Sequence, residues 1–220
     1  MDTEIFKKIS YERKIRLRAL VYLERAKTAN IPEQFLRINK EEFTKLLSPP
    51  YHKDVKEFAS LLYDNPKNLL NIPFIIIDGG NEEARKKAGF AVLFRLITCN
   101  KTGIYEQCKG LVNKLQTTDF KMNMNRNDIV DELKLYDVLF ISEFRYDLFR
   151  VQYDAGYLFD ELIESRKDYL RPTIISFSEA ISSKNKITER TCGQYLADLS
   201  IKENCDPNPS DGILRIRVKI

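Results

Sequence analysis

The sequence is poor in the residues that build metal centres and covalent bridges. Its one histidine is His52, and its four cysteines, Cys99, Cys108, Cys192 and Cys205, form no C-x-x-C pair. A zinc site is therefore not expected, and the cysteines read as reduced thiols. Also missing is any apolar run of the ~18 to 20 residues that a bilayer crossing takes. The opening MDTEIFKKISYERK has no apolar block of the signal-peptide kind, so a cytoplasmic protein without membrane attachment is expected. No internal repeat or low-complexity tract is present. What remains is an ordinary globular composition, 43% hydrophobic and 31% charged over 220 residues, long enough to bury a sizeable core.

Charge of one sign is scarce as well, and the small excess is local. Residues 1 to 30 hold eight Lys or Arg against four Asp or Glu, and the remaining 28 basic and 28 acidic side chains cancel. The net +4 thus sits in the N-terminal segment, where Arg13, Lys14, Arg16 and Arg18 are the candidate contacts for DNA or for an acidic partner. A solvated helix face is the plainer account. KISYERKIRLRALVYLERAKTAN has no Gly or Pro and predicts a helix over residues 3 to 28. Tyr11, Ile15, Ala19 and Tyr22 form one apolar stripe; Leu17, Leu20 and Val21 form a second. A helix apolar on two sides is expected to dock one on its own domain and keep the other for a partner, unless both lie in a single core.

Residues 30 to 71 are punctuated by Pro32, Pro49, Pro50 and Pro66 and read as a connector of short helices that wraps onto the main domain. Beyond it, strand-like runs at 73 to 78, 137 to 142, 172 to 177 and 213 to 220 alternate with helical ones at 83 to 98, 104 to 116 and 153 to 168. That alternation predicts an α/β fold with a largely parallel sheet. FIIID and VLFIS are continuous apolar runs, as strands covered on both faces require. ILRIRVKI differs, with Leu214, Ile216, Val218 and Ile220 alternating with Arg215, Arg217 and Lys219. Its charges either guard an edge strand against unwanted pairing or form a rim facing nucleic acid.

In an open parallel sheet ligands gather at the carboxyl ends of the strands. A phosphate-binding loop there takes the form G-x-x-x-x-G-K-[ST], whose glycines let backbone N–H groups converge on phosphate while the lysine adds charge and the hydroxyl holds magnesium. After FIII the chain reads Gly79-Gly80-Asn81-Glu82-Glu83-Ala84-Arg85-Lys86. Ala84 replaces the second glycine, Arg85 the lysine and Lys86 the hydroxyl, while Glu82 and Glu83 set negative charge where phosphates would lie. A shift of one residue restores Lys86 but loses the glycine and the hydroxyl. After VLFI an acidic pair should hold magnesium and activate water; Ser142 and Glu143 stand there instead. At the end of RPTIISFS, Ser178 is the candidate polar sensor of a γ-phosphate. In EFRYDLFRVQY, Arg145 and Arg150 interleave with aromatics, a pattern that suits single strands by stacking and charge and equally suits a packed loop.

Four stretches, AKTANIPEQF (26 to 35), NLLNIPFIIIDGG (68 to 80), YDVLFISEF (136 to 144) and LFDELIESRKDYLRPTIISFS (158 to 178), agree in order and spacing with one family. The chain resembles the AAA+ helicase loaders of the DnaC, DnaI and IstB type over nearly its whole length. The resemblance implies an AAA+ (P-loop NTPase-like) core, with a parallel sheet flanked by helices, over residues 66 to 220. A short helical extension and connector over 1 to 65 would precede it. It implies head-to-tail assembly, a grip on single-stranded DNA and engagement of a replicative helicase, with Arg190 matching the arginine that reaches a neighbouring subunit's phosphate. The longer N-terminal helicase-binding domain of several loaders is not expected. With Gly79, Gly80, Arg85 and Lys86 as a vestigial nucleotide site and Ser142, Glu143, Ser178 and Arg190 as vestigial catalytic positions, a pseudo-ATPase without cofactor is expected. It would act by binding a replicative helicase, an initiator or an active paralogue. The alternative is a working loader or IstB-like transposition helper that uses ATP and magnesium in a non-standard site.

Overall fold

A computed structural model of the chain describes residues 2–47, 55–116, 126–145, 148–149, 153–177 and 213–219. Helix α1 (Asp2–Thr28) leads through a short 3-10 turn at Glu33–Phe35 into α2 (Lys40–Leu46), α3 (Val55–Asp64) and a second 3-10 turn at Pro66–Asn71. The core follows as β1 (Phe74–Gly79), α4 (Glu82–Ile97), β2 (Gly103–Gln107), α5 (Cys108–Gln116), α6 (Arg126–Leu135), β3 (Val138–Phe144), α7 (Tyr153–Asp168), β4 (Thr173–Phe177) and β5 (Ile213–Val218). The five strands form one parallel sheet in the order β2-β3-β4-β1-β5. Every strand therefore ends at the same edge, with the β1 and β3 termini flanking that of β4. Among the described residues no helix is long and apolar enough to cross a membrane.

The apolar runs explain the three layers. Along β1, Ile75 and Ile77 join a cluster with α4 and the N-terminal helices, while Phe74 and Ile76 join a second cluster with α5, α6 and α7. Likewise β3 sends Val138 and Phe140 one way and Leu139 and Ile141 the other. Strand β5 contributes Leu214, Ile216 and Val218 to the first cluster alone. Its far edge is partly covered, since the Lys219 N–H donates to the Leu46 carbonyl at 2.8 Å. Of its cations, Arg217 turns to the fully buried Asp78, donating from Nε at 3.2 Å and Nη2 at 3.4 Å.

The sheet holds one more strand than the sequence pattern suggests. Residues 104 to 107, expected as the start of a helix, lie in β2, which pairs with β3 from Gly103↔Val138 to Gln107↔Ser142. GIYEQ passes into α5 with no Gly or Pro between them, so nothing in the sequence marks the switch. The described start of the connector packs on the sheet and α4. Ala29 accepts a hydrogen bond from the Tyr105 N–H at 3.0 Å, and Ile31 and Phe35 are buried, the Phe35 ring stacked 4.6 Å from Phe90.

Helix α1 departs from expectation. From Tyr11 to Glu24 nearly every residue is exposed, and docking begins only at the last turn, through Ala26 and Ala29 and the Arg25 Nη1 to Asn100 Oδ1 bond of 2.9 Å. Neither apolar stripe is covered: Tyr11 is 66% exposed and Leu20 58%. Small alanines let that last turn approach α4, whereas the larger residues upstream extend past the body of the domain.

Arg166, in the last turn of α7, knits the second layer to the sheet. It is 1% exposed; Nε donates to Thr173 Oγ1 at 2.9 Å, Nη1 to the Leu133 and Tyr136 carbonyls at 2.9 and 2.8 Å, and Nη2 to those of Asp137 and Pro172 at 3.3 and 2.9 Å. Burial pulls its pKa down to about 9, so the guanidinium keeps its charge at neutral pH. This arginine gives LFDELIESRKDYLRPTII a structural reason: the helix must end with its cation facing two inter-element turns.

Candidate nucleotide site

The site lies at the carboxyl edge, where β1 turns into α4. Three residues make that turn. Gly79 and Gly80 adopt positive φ, 75° and 53°, and Asn81 caps α4 by accepting the Ala84 N–H at 2.8 Å. A side chain on Gly80 would place its Cβ 2.4 Å from the Lys219 carbonyl oxygen, so β5 as well as backbone conformation demands glycine here. The helix begins at Glu82, and residues 82 to 86 are its first turns rather than part of a phosphate-wrapping loop. The sequence pattern places this helix from residue 83, and the Asn81 cap starts it one residue earlier.

Arg85 fills the turn. Its side chain is 7% exposed and Nη1 donates to the carbonyls of Gly79 and Gly80 at 3.0 and 2.9 Å. Nε and Nη2 form a two-point bond with Glu143 Oε1 and Oε2, at 3.0 and 2.8 Å. Anion cradles work by converging N–H groups. In this turn the carbonyl oxygens converge, and the group they hold is a cation belonging to the chain itself.

Glu143 is set for that contact by irregular backbone. It has φ of 54°, a left-handed conformation that costs a residue with a side chain on the order of 1 kcal/mol. The β3–β4 register shifts between Ile141 and Phe144, and the Glu143 N–H donates to Ser176 Oγ at 3.0 Å in place of a regular ladder partner. Such irregularities re-aim side chains, and this one carries the carboxylate toward Arg85.

The remaining expected residues are only partly gathered here. Ser142 is fully buried and shares a 2.9 Å hydrogen bond with the Tyr105 hydroxyl, so its oxygen is engaged away from the Arg85–Glu143 pair. Lys86 pairs with Glu82 one turn earlier. Burial pulls its pKa down, but the Glu82 bond and the nearby charges of Tyr105, Glu82 and Glu143 outweigh this and hold it above the usual lysine value. Arg145 is exposed just beyond β3, and Arg13, Lys14, Arg16 and Arg18 lie on the exposed length of α1, away from the site. Ser178, Arg190 and Arg150 lie outside the described residues.

Sequence reasoning missed Ser176, Tyr105 and the Asp78–Arg217 pair. Opposite charges at the ends of two strands, Arg85 after β1 and Glu143 after β3, were the available signal for the ion pair. Beside it, Phe35, Phe90, Tyr105 and Phe140 form a continuous aromatic cluster reaching Ser142.

The single parallel sheet in this order, flanked by helices and preceded by a helical extension, is a fold shared with solved structures. A replication initiator DnaA bound to AMPPCP and single-stranded DNA matches with a TM-score of 0.54 at 12% identity, over 79% of this chain and 51% of that one. AMPPCP-bound DnaA from Aquifex aeolicus matches at 0.52 and 12%, over 77% and 51%. The crystal structure of DnaI matches at 0.53 and 11%, over 85% of this chain and 94% of that one. The chain thus spans about half the length of the DnaA chains and nearly all of the DnaI chain. No protein-family model and no curated protein matches it. At these identities the similarity is one of fold.

Proposed function

We propose that this chain is a DNA-replication accessory protein of the initiator and loader kind whose nucleotide site is closed by its own side chains. It acts by binding a replicative helicase, an initiator or an active AAA+ paralogue, with single-stranded DNA as a further ligand. The observation that carries this reading is the position of Arg85. A triphosphate entering the turn would meet the Gly79 and Gly80 carbonyls and the Glu143 carboxylate, all repelling it once Arg85 moved away. Removing one partner of a buried ion pair costs roughly 3–5 kcal/mol, which a nucleotide would have to offset before making any contact of its own. The magnesium side fares no better: buried Ser142 bonds to Tyr105, and Glu143 beside it bonds to Arg85. The residues present do not fit a magnesium–triphosphate. The replication assignment rests on the fold shared with DnaA and DnaI and on the four sequence stretches resembling helicase loaders.

The test is a titration of a fluorescent ATP analogue, with magnesium, into the purified chain, followed by a turnover assay. No saturable binding up to millimolar nucleotide is expected, and no turnover. Saturable binding with turnover that falls on Arg85→Ala or Glu143→Gln overturns the proposal. It would restore the alternative of a working loader or transposition-helper ATPase in which Arg85 or Lys86 binds phosphate and Glu143 activates water.

A further inference from the structure

Two exposed surfaces remain unused, and they lie on opposite layers of the sheet. The first is α1. Arg13 and Lys14 sit on the same side of the helix as Leu17, Leu20 and Val21, one to two turns further on, and all five are exposed. This side presents cations first and apolar residues after, over about 12 Å of helix at 1.5 Å per residue. The second is the outer face of α6 and α7. Along α7, Tyr157, Glu161, Glu164 and Asp168 follow the i, i+4, i+7, i+11 spacing of one stripe, and all are exposed. Next to it, Asp128, Asp131, Glu132 and Leu135 form the exposed stripe of α6, joined to α7 by the Lys134 Nζ to Glu161 Oε1 bond of 2.6 Å. Tyr157 is 68% and Leu135 73% exposed, so this face too mixes apolar bodies with charge, here of the opposite sign.

We infer that α1 of one copy of this chain docks on the α6–α7 face of a second copy. Charge and apolarity run in complementary order. An antiparallel approach sets Arg13 and Lys14 beside Glu164 and Asp168, and Leu17, Leu20 and Val21 beside Tyr157. A phosphate backbone would satisfy the α1 cations but leave its leucines and valine in water; the α6–α7 face covers both. The last turn of α1 packs in the layer of α4, whereas α6 and α7 pack in the other. The two surfaces therefore differ, and the contact joins unlike faces of two copies. Nothing in this contact involves the nucleotide site, so it stands or falls separately from the proposed function.

The experiment is sedimentation velocity and light scattering on the full chain over a concentration series, with two charge-reversed variants, Arg13→Glu/Lys14→Glu and Glu164→Lys/Asp168→Lys. Circular dichroism melts confirm that each is folded. The unaltered chain is expected to associate in a concentration-dependent manner, more weakly at high salt because exposed charges are screened. Each variant alone is expected to run as one chain, with association weakened about tenfold or more by like-charge contact. An equimolar mixture of the two is expected to associate again, since each reversed surface then meets its complement. A monomeric unaltered chain overturns the inference, as does salt-sensitive binding of single-stranded DNA by α1 without self-association. Undiminished association of the α7 variant alone also overturns it, for that outcome means α1 pairs with α1. The single reversals Lys14→Glu and Glu164→Lys are expected to act in the same direction with smaller effect, and decide the matter where a double variant unfolds.

Discussion

Two buried arginines divide the work of holding this molecule together, and they are buried in different ways. Arg166 is surrounded by carbonyl and hydroxyl oxygens from two inter-element turns, with no carboxylate among its hydrogen-bond acceptors. Arg85 takes two carbonyls and then a two-point bond to one carboxylate, Glu143. The first is a staple: four of its five partners are backbone carbonyls that any sequence would have, and the fifth is the Thr173 hydroxyl. The second is a matched pair whose members are buried because of each other. A guanidinium held by main chain reports on the scaffold, and one held by a side chain of opposite charge reports on a site.

Removing the staple should have the largest effect. Arg166→Ala leaves several buried carbonyls without donors and a cavity between α6 and α7, and is expected to destabilise the fold by about 5 kcal/mol or more. Urea denaturation followed by circular dichroism measures it. Arg166→Lys restores charge but not the planar fork, and should recover less than half of the loss. A near-neutral Arg166→Ala would show that main-chain acceptors find water there, and the contrast with Arg85 would disappear.

The pair should behave differently. Arg85→Ala is expected to cost about 3 kcal/mol, because Glu143 stays largely buried without the arginine that holds both its oxygens. The double change Arg85→Met/Glu143→Leu should return most of that stability, since an apolar pair replaces an ionic one. Additive losses in this cycle would mean that Arg85 is held by the Gly79 and Gly80 carbonyls and that Glu143 is incidental.

The legible and illegible parts of this fold separate along the same line. Strands β1, β3 and β4 are runs of branched and aromatic residues buried on both faces, so they announce themselves locally, and helix α7 spans the range its pattern predicts. Strand β2 does not, because an edge strand needs few apolar residues and GIYEQ has only Ile104 fully apolar beyond its tyrosine. The departures of residues 79–86 and 142–143 from a phosphate-binding pattern are readable one by one. Their pairing is not, because Arg85 and Glu143 are 58 residues apart and Asp78 and Arg217 are 139 apart. Only folding reveals that Arg85 fills the Gly79–Gly80 turn and meets Glu143. The exposure of α1 was misjudged for a related reason: periodicity shows which sides of a helix are apolar, not whether the same chain supplies a cover.

Acid should expose the staple's surroundings through Asp137, whose carbonyl belongs to the Arg166 cluster. Partial burial raises its carboxyl pKa, but bonds from the Thr102 N–H and hydroxyl and from Lys101 outweigh this and hold it below the usual aspartate value. A depressed folded-state pKa stabilises above the unfolded value, near pH 4, and that contribution is lost as pH falls through the folded one. Asp137→Asn is therefore expected to flatten the fall in melting temperature below pH 4 while costing stability at pH 7. The side chain is partly exposed, so the effect ranks below those of the two arginines. An unchanged acid profile would place the titrating group elsewhere.

The smallest effect belongs to the residue next to Arg85. Lys86, which a shifted reading of the motif would make the phosphate lysine, is partly buried and pairs with Glu82 one turn earlier in α4. A helical pair of this spacing contributes about 0.3–0.5 kcal/mol. Lys86→Ala should therefore change the urea midpoint by an amount close to experimental error, and should leave nucleotide titrations as flat as those of the unaltered chain. If Lys86→Ala instead abolished a measurable ATP affinity, the triphosphate would be reaching this helix from its outer side. Arg85 would then be a wall of the site rather than its plug.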